Sequence, residues 1–328
     1  MRGINMNMIE VKNLSKDYHV VKKEEGLKGA LKALITREST VIPAVDNLNF
    51  NIEDGEMVGF IGPNGAGKST TIKMMSGILT PSRGEVLVDG KDITKHRKEV
   101  VQHIGVVFGQ RSQLNWDLRL SESFELLRHI YQIDKNNYQK VIDDMDEILG
   151  IKELLDKPVR QMSLGQRVKG DLVAAMIHSP KVLFLDEPTI GLDVSSKYAL
   201  RKFVKEINEQ RGTTIILTTH DLGDIKQLCK RLIIINQGKL IEDGNLDDIV
   251  DRIAPYKTLV VEYYDEQFVT HEKCQLIESN GNITKYRFMK NDITAAKLIE
   301  DLSMKAQIKD VSIEEAGIDD IIRVAYGE

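Results

Sequence analysis

The sequence predicts an α/β protein with a mostly parallel central sheet covered by helices on both faces, followed by a small α+β domain. Short apolar, strand-like runs alternate with segments of helical periodicity, which is typical of parallel strands joined by crossover helices. A glycine-rich turn directly follows the first run, and the pattern changes to several short strands after Pro255. The apolar runs lie at 57–61, 181–185, 214–218 and 231–235.

The other elements of the larger domain follow from the same periodicities. Alternating apolar and polar residues predict edge strands near the beginning of the chain, and a Pro-Ser-Arg-Gly sequence at 81–84 ends the first helix. An almost wholly helical pattern in the middle of the chain predicts a helical insert. The predicted strands are 8–14, 45–52 and 85–88, and the predicted helices are 69–79, about 116–158, about 195–210 and about 222–229.

The C-terminal residues have a different organisation. Three strand-like segments and two helical ones predict a small mixed module of about 70 residues. We therefore expect one domain at 8–250, with a helical subdomain at about 111–170, and a second domain at 255–328. The predicted C-terminal strands are 257–264, 275–279 and 283–289, and the helices are 292–304 and 318–326.

Composition restricts the functional classes. The chain has 328 residues, of which 41% are hydrophobic, so it can bury a sizeable core. Its formal net charge is −5, and no basic patch indicates a nucleic-acid partner. No segment approaches the roughly 20 apolar residues of a membrane-spanning helix. Any membrane partner is therefore expected to be a separate chain.

A phosphate-binding loop follows the strand at 57–61. Its sequence matches G-x-x-x-x-G-K-[ST], with the required strand before it and a helix after it. Backbone N–H groups and the helix N-terminus form an anion cradle, Lys68 reaches the β- and γ-phosphates, and Ser69 is a ligand for Mg²⁺. We expect contacts to a nucleoside triphosphate from Gly62, Pro63, Asn64, Gly65, Ala66, Gly67, Lys68, Ser69 and Thr70.

Two adjacent carboxylates end the apolar run at 181–185. Asp186 is predicted to hold Mg²⁺, and Glu187 is predicted to act as the general base that polarises the attacking water. An acid followed by Pro188 and Thr189 is also common at helix N-termini. That alternative accounts for either acid alone better than for the pair.

Four further segments resemble the motifs of ABC ATPases. Residues 162–166 read Met-Ser-Leu-Gly-Gln, which is similar to the LSGGQ signature of that family. Gln110, Asp193 and His220 resemble its Q-loop, D-loop and switch histidine, in the family's order. Each alone has a simpler reading, namely a loop amide, a helix cap or a strand-end histidine. Together with the phosphate loop and the carboxylate pair, they make six ordered elements.

This resemblance covers about 8–250 and implies the ABC ATPase fold, with a RecA-like parallel core, an antiparallel β-subdomain and a helical subdomain. It also implies that two copies stack head to tail and enclose ATP between the phosphate loop of one and the signature of the other. The residues implied to contact ATP in trans are Ser163, Gly165, Gln166 and Asp193.

The family also implies roles within one copy. His220 would contact the γ-phosphate and align the water with Glu187, and Gln110 would reach both Mg²⁺ and the water. Tyr18 resembles the aromatic residue that stacks on adenine. Leu164 departs from the family pattern, because it replaces the first glycine of the signature.

The resemblance further implies integral membrane permease subunits as partners and a peripheral location on the cytoplasmic face of the membrane. The extended insertion at 20–44, the Ser-Leu-Gly-Gln-Arg variant and the C-terminal module are similar to an exporter subclass with two separate permeases, which moves drugs, antibiotics or related compounds. Alternatives are an importer motor and a soluble ABC ATPase of translation or DNA repair. The soluble types would carry two cassettes, or a long coiled coil between Gln110 and Ser163.

Two further segments bear on possible partners. Apolar residues at helical spacing between Leu27 and Ile35, with lysines around them, predict either a basic amphipathic helix near a membrane or a helix packed on its own domain. Trp116 lies in the helical insert near Gln110. Family geometry implies that Trp116 and its neighbours receive a permease helix.

Overall fold

A computed structural model describes residues 7–21, 39–109, 111–219, 221–266 and 269–315. They form two compact units, divided between Asp243 and Gly244. The predicted helices near 27–35 and at 318–326 lie outside the described residues, as do Gln110 and His220. The assignment of two functional domains at 8–250 and 255–328 stays a prediction.

An antiparallel sheet begins the first unit. It contains β1 (Asn7–Val21), β2 (Ser39–Glu53), β4 (Arg83–Val88) and β5 (Lys91–Asp92), in the order β2-β1-β4-β5. Ile9 pairs with Ile52 on one side and Val88 on the other, and all three side chains are buried. Because alternate residues of a strand share one face, this register turns one apolar face into the core.

The central sheet contains six strands in the order β10-β9-β3-β8-β7-β6. The pairs β3–β8, β3–β9, β6–β7 and β7–β8 are parallel, as the apolar runs predict. The strands are β3 (Met57–Ile61), β6 (Ile104–Phe108), β7 (Val182–Asp186), β8 (Thr214–Thr218), β9 (Arg231–Asn236) and β10 (Lys239–Asn245).

The register of three parallel strands determines where the functional segments begin. Phe108 of β6 pairs with Asp186 of β7, and Asp186 pairs with Thr218 of β8. The carboxyl ends of these strands therefore lie at the same level of the sheet. The segments that follow them, which contain Gln110, Glu187 and His220, start side by side.

Helices of the first unit flank this sheet and form the insert. Instead of one nearly continuous helical stretch over 116–158, two α-helices are followed by two short 3₁₀ turns. The break comes at 131–134, where Asp134 caps the next helix by accepting from Asn136 N and Asn137 N, and Gly150 ends that helix at φ 62°. The helices are α1 (Lys68–Met75), α2 (Arg97–Val100), α3 (Leu120–Ile130), α4 (Lys135–Leu149), α5 (Leu164–Met176), α6 (Val194–Arg211) and α7 (Leu222–Leu228), with 3₁₀ turns at Val101–His103, Lys152–Leu154 and Val159–Gln161.

The second unit is an antiparallel sheet with one helix against it. Its strands run in the order β12-β13-β11-β14, and Leu259, Tyr263, Tyr286 and Leu298 are among the residues of its buried core. The elements are α8 (Leu246–Ile253), β11 (Tyr256–Tyr263), β12 (Cys274–Asn280), β13 (Ile283–Met289), α9 (Ala295–Ser303) and β14 (Ile308–Glu315).

Strand β14 was not predicted from the sequence. Its apolar residues Val311 and Ile313 are 36% and 47% exposed, and acidic residues flank them. A polar edge strand has little hydrophobic patterning of its own, and it forms because β11 offers a free edge. Each helix of the described ranges is too short or too polar to form a membrane span.

Candidate functional site

The phosphate-binding loop connects β3 to α1 and depends on three glycines. A Cβ at Gly62 would lie 2.2 Å from the carbonyl oxygen of Ile235, and one at Gly67 would lie 2.6 Å from that of Ala44. Gly65 and Gly67 have φ angles of 82° and 102°, which side chains rarely allow. The loop therefore turns tightly between the two sheets and presents the N-terminus of α1 to an anion.

Lys68 is the buried cation of this loop. Its side chain is 6% exposed, and Nζ donates to the carbonyl oxygens of Gly62 at 2.7 Å and Pro63 at 3.1 Å. Burial lowers the pKa of Lys68, and the carboxylates of Glu187 and Asp186 oppose that shift. The amine is thus held within the loop, ready to exchange carbonyl partners for phosphate oxygens.

A cavity of about 200 Å³ joins the phosphate loop to the predicted general base. Glu187 lines it opposite the loop, so the structure brings these two sequence-predicted groups together. Ser69 and Asp186 supply a hydroxyl and a carboxylate, which are hard oxygen donors that fit Mg²⁺. The loop residues that line the cavity are Asn64, Gly65, Ala66, Gly67, Lys68, Ser69 and Thr70, with Ala44 of β2.

The carboxylate pair is held by the neighbouring strand. Thr218 of β8 donates its hydroxyl to Asp186 Oδ1 at 2.8 Å, and the same hydroxyl accepts from Glu187 N at 2.9 Å. Glu187 has a φ of 54°, so its backbone is in the left-handed region. The peptide at the end of β7 therefore turns sharply, which removes Glu187 from the strand and directs it to the cavity.

Gly109 connects the Q-loop segment to the carboxylate pair. Its N–H donates to the carbonyl oxygen of Asp186 at 2.8 Å, and a Cβ on it would lie 2.0 Å from the carbonyl oxygen of Glu187. Only glycine allows these backbones to approach so closely. The chain thus enters the segment of Gln110 directly beside Glu187, although Gln110 itself lies outside the described residues.

The residues after Gln110 are anchored on the signature helix α5. The buried carboxylate of Asp171 accepts from Ser112 Oγ at 2.9 Å and from Gln113 N at 3.0 Å, and Gln113 Nε2 donates to the carbonyl oxygen of Asp171 at 3.1 Å. Burial raises the pKa of Asp171 to about 6. This side chain ties the Q-loop segment to the helix that begins with the signature.

A buried ion pair anchors the segment around His220, which is itself outside the described residues. Asp224 is 1% exposed in its side chain, and it accepts from Arg201 Nε at 2.6 Å and from Thr219 Oγ1 at 3.3 Å. Asp221 forms a second pair with Lys197, 3.2 Å away. Both cations belong to α6, which Asp193 caps, so this helix holds the residues that follow the predicted switch.

The signature residues lie at the exposed N-terminus of α5. Ser163 caps this helix by accepting from Gln166 N at 3.2 Å, and Gln166 Oε1 accepts from Ser163 N at 3.1 Å and from Lys157 Nζ at 2.9 Å. The two side chains form a capping box. The Gln166 amide oxygen is therefore engaged within its own chain.

The D-loop lies against the signature. A Cβ at Gly165 would lie 2.3 Å from Ser196 Oγ and 3.8 Å from Asp193 Oδ2, so the two segments are in contact. Asp193 caps α6 by accepting from Ser196 N at 2.9 Å. Hydrogen bonds from Ser195 and Ser196 hold the pKa of Asp193 far below its usual value. The structure thus groups Ser163, Gly165, Gln166 and Asp193 as one surface.

Tyr18 lies in the second half of β1, and its partner strand β2 reaches the phosphate loop. It is 41% exposed, pairs with Ile42 of β2, and has Lys16 Nζ 5.7 Å from its ring centroid. Two residues beyond Ile42, Ala44 contacts the position of Gly67. A base stacked on Tyr18 would therefore continue towards the phosphate loop.

Sequence reasoning missed the residues that hold these motifs in place. Thr218, Gly109, Asp171 and the Arg201–Asp224 pair carry no motif of their own. Their only sequence signal is proximity to a motif, since Thr218 precedes His220 by two residues and Gly109 directly precedes Gln110. Their hydrogen-bond partners are distant in the chain, so no local pattern reveals them.

Comparison with known proteins agrees with this geometry. The profile of the family described as ABC transporter matches residues 45–190. The uncharacterized ABC transporter ATP-binding protein YhcH of Bacillus subtilis is 32% identical over 87% of this chain and 91% of its own length. The bacitracin transport ATP-binding protein BcrA of Bacillus licheniformis is 30% identical over 87% of this chain and 89% of its own length. The methionine import ATP-binding protein MetN 3 of Shouchella clausii is 28% identical over 92% of this chain and 90% of its own length.

A solved structure shares the fold of the nucleotide site. The ATP-binding cassette MJ0796, in a dimeric post-hydrolysis state bound to ADP and Pi, superposes with a TM-score of 0.61 and 25% identity. The superposition covers 73% of this chain and 99% of that one. The predicted ABC ATPase fold, the ATP and Mg²⁺ cofactors and the ATPase activity are thereby confirmed. This chain belongs to the ABC transporter family, in which it is an ATP-binding subunit that hydrolyses ATP.

Proposed function

We propose that this subunit energises export of a small molecule, such as a drug, an antibiotic or a related compound, through separate permease subunits. The observation that carries this proposal is the similarity to the bacitracin transport ATP-binding protein BcrA along 87% of the chain, which extends beyond the ATPase core. The Ser-Leu-Gly-Gln-Arg variant and the small C-terminal sheet unit support the same subclass. Import is the second candidate, because a methionine importer subunit is similar over 92% of the chain.

Within one copy, the positions of the phosphate loop, Asp186 and Glu187 support the roles predicted for them, and the roles of Gln110 and His220 rest on the family resemblance. Lys68 and the backbone of the loop would bind the β- and γ-phosphates, and Ser69, Asp186 and Gln110 would hold Mg²⁺. When bound, Mg²⁺ neutralises charge that develops on the transferred phosphate. Glu187 orients and polarises the attacking water, and His220 holds the γ-phosphate in line.

The exposed half of the site supports a head-to-tail dimer. Apolar side chains that monomers usually bury surround the signature and D-loop, with exposures of 38% for Leu164, 42% for Ile190, 86% for Val194 and 69% for Tyr198. Ser163, Gly165, Gln166 and Asp193 would meet the ATP of a second copy across this surface. The solved structure of MJ0796 is also dimeric, which supports the pairing of two copies.

Trapping of the ATP-bound dimer tests this mechanism. Glu187→Gln keeps the size of the side chain and removes the base, so the variant should bind ATP without consuming it. At saturating Mg-ATP its mass should double in size-exclusion chromatography with light scattering. The Lys68→Met, Glu187→Gln double variant is the matched control and should stay monomeric. A Glu187→Gln protein that remains monomeric would contradict the composite site.

A groove beside the Q-loop segment supports docking of a permease. It has a volume of about 270 Å³. Trp116 lies outside the lining of this groove; its indole is 52% exposed, with the Arg167 guanidinium 5.1 Å from its ring. A permease helix in this groove would place the chain peripherally on the cytoplasmic face of the membrane. Residues lining the groove include Ile78, Arg97, Val101, Phe108, Arg111 and Tyr131.

Co-purification in mild detergent tests the partner. Tagged protein should carry a multi-span membrane subunit, and Trp116→Glu should lose it while retaining ATP hydrolysis. Trp116→Phe, which keeps an aromatic surface, is the control and should retain the partner. Equal recovery of the partner with both variants would remove Trp116 from the interface.

Inside-out membrane vesicles that contain the complete transporter distinguish export from import. Labelled bacitracin and labelled methionine serve as probes, because the two named relatives transport or import these compounds. Export predicts ATP-dependent accumulation of the antibiotic inside such vesicles. ATP-dependent loss of preloaded methionine from them would favour the importer.

A further inference from the structure

The hydroxyl of Thr218 makes a hydrogen bond to both acidic residues of the site, to the carboxylate of Asp186 and to the backbone N–H of Glu187. It donates to Asp186 Oδ1 at 2.8 Å and accepts from Glu187 N at 2.9 Å. The Thr218 side chain is fully buried. A hydroxyl has one proton and two lone pairs, so it can serve a carboxylate and an N–H at the same time.

We infer that Thr218 is a positioning residue for ATP hydrolysis, which orients the carboxylate of Asp186 and holds the backbone of Glu187. The inference rests on the roles proposed above for these two acids. Thr218 itself touches neither phosphate nor water in this scheme. It acts through Asp186 and Glu187.

The hydrogen bond to Asp186 restricts rotation of its carboxylate. One oxygen is fixed by the Thr218 hydroxyl, so the plane of the group and the direction of its other oxygen are determined. Asp186 is 8% exposed, and in so dry an environment a charged hydrogen bond is stronger than in water. A metal ligand oriented before the ion arrives needs little rearrangement to bind it.

The bond to Glu187 stabilises an unusual backbone. A residue other than glycine in the left-handed region is strained, and it persists only when its surroundings determine it. Glu187 N has two acceptors on Thr218, the hydroxyl at 2.9 Å and the carbonyl oxygen at 3.1 Å. The backbone of Gly109 also packs against this peptide, since a Cβ at Gly109 would lie 2.0 Å from the carbonyl oxygen of Glu187. Loss of the hydroxyl would therefore widen the range of directions that the Glu187 carboxylate takes.

Thr218→Val is the direct test, since valine keeps the shape and removes the hydroxyl. We expect kcat of the full-length protein to fall about tenfold to a hundredfold, the cost of slight misplacement of reacting groups. KM for ATP should change little. The Mg²⁺ concentration that gives half-maximal rate should rise severalfold, and Thr218→Ser should restore both parameters.

Thr214→Val is the matched control. Thr214 is also fully buried, lies at the other end of the same strand, and accepts from Gly55 N at 2.9 Å. This variant should lose a similar amount of thermal stability while its kcat stays at the wild-type value. Equal kcat values for Thr218→Val and Thr214→Val would show that the Thr218 hydroxyl is merely structural and would overturn the inference.

A binding measurement separates metal positioning from loss of fold. A fluorescent ATP analogue should bind Thr218→Val and the wild type equally in EDTA, and the gain in affinity on adding Mg²⁺ should be smaller for the variant. Equal gains would overturn the part that concerns Asp186. If Thr218→Val does not fold, Thr218→Ala compared with Thr218→Ser provides the same contrast.

Failure of this inference is distinguishable from failure of the proposed function. If Glu187→Gln abolishes hydrolysis and Thr218→Val does not reduce it, the role of Glu187 stands and that of Thr218 is refuted. If Glu187→Gln hydrolyses ATP at the wild-type rate, the role of the base is refuted, and with it the part of the inference that concerns Glu187.

Discussion

The nucleotide half and the signature half of the site are built in opposite ways. In the first, Lys68 and Asp186 are 6% and 8% exposed; a carbonyl oxygen of the phosphate loop holds Lys68, and a hydroxyl of the neighbouring strand β8 holds Asp186. In the second, Ser163, Gly165 and Asp193 lie at the surface, and bonds to residues no more than three positions away shape the two helix N-termini. A buried half can be assembled by one chain, whereas an exposed half needs a second surface.

Both halves nevertheless use a helix N-terminus. α1 begins behind the phosphate loop and α5 begins behind the signature, and each offers free N–H groups and a positive dipole end. In the first case the glycines of the loop determine the approach of the anion. In the second case the capping box shapes the helix end in advance of any ligand. The difference predicts which substitutions weaken ATP binding and which weaken only the engagement of two copies.

The largest effect is expected for the ion pair that joins α6 to the switch segment. Arg201→Met leaves the buried carboxylate of Asp224 without its cation, which should lower the free energy of unfolding by about 3–5 kcal/mol. Urea denaturation followed by circular dichroism measures this. Lys202→Met, on the exposed side of the same helix, is the control and should change stability by less than about 0.5 kcal/mol. A small loss for Arg201→Met would mean that α6 is not joined to the switch through this pair.

Lys68→Met should affect the nucleotide half alone. The turnover of ATP should fall by about 100-fold to 1,000-fold, since a buried charge aimed at phosphate is removed. A coupled assay for ADP release gives the rate, and Lys73→Met on the same helix should behave as wild type. If Lys68→Met retained most of the ATP turnover, the backbone N–H groups of the loop would be sufficient for catalysis without the Lys68 amine.

The pH dependence of stability should reveal Asp171, which joins the Q-loop segment to the signature helix. Its pKa is raised from 3.8 to about 6, so the folded protein holds the proton more tightly than the unfolded chain. The stability contribution of this group therefore declines as pH rises from about 4 to 6, by about 3 kcal/mol in total. Asp171→Asn should remove that decline. If the free energies of unfolding of variant and wild type ran parallel between pH 4 and 7, the contribution of Asp171 to the pH dependence of stability would be refuted.

Gly165→Ala should show the smallest effect and act on the signature half alone. Its Cβ would lie 2.3 Å from Ser196 Oγ, a side-chain atom that can rotate away at the cost of its bond to Asp193. We expect about a tenfold loss of hydrolysis, equivalent to about 1.4 kcal/mol, with unchanged ATP affinity of the monomer. Adding Ser196→Ala should recover part of the rate. Weaker ATP binding by monomeric Gly165→Ala would break the separation of the two halves.

Much of the molecule was predictable because its motifs occupy strand ends. The strands 214–218 and 283–289 were predicted with their observed bounds, and the phosphate loop, with Lys68 and Ser69, lies where its motif requires. Parallel strands are buried on both faces, so their apolar runs are easily recognised. The break at 131–134 in the helical insert and the polar strand β14 were missed, since neither has a strong apolar pattern.

The use of Gln166 illustrates the limit of motif reasoning. Its position in the signature predicts a contact with ATP across a dimer, and that role stays a prediction. The structure shows its side chain closing a capping box with Ser163 and accepting from Lys157. The contact with Lys157 depends on the path of the residues that precede the signature, and the motif carries no information about that path.

By itself, the sequence determined the family, the phosphate loop, the carboxylate pair and the order of the remaining motifs, because each depends on residue types at short spacing. Only the tertiary structure decided how these parts are held. The register of β6, β7 and β8 sets Gly109, Asp186 and Thr218 side by side, although they are far apart in the chain. Hydrogen bonds between such residues depend on distance in space, and that distance exists only once the sheet has formed.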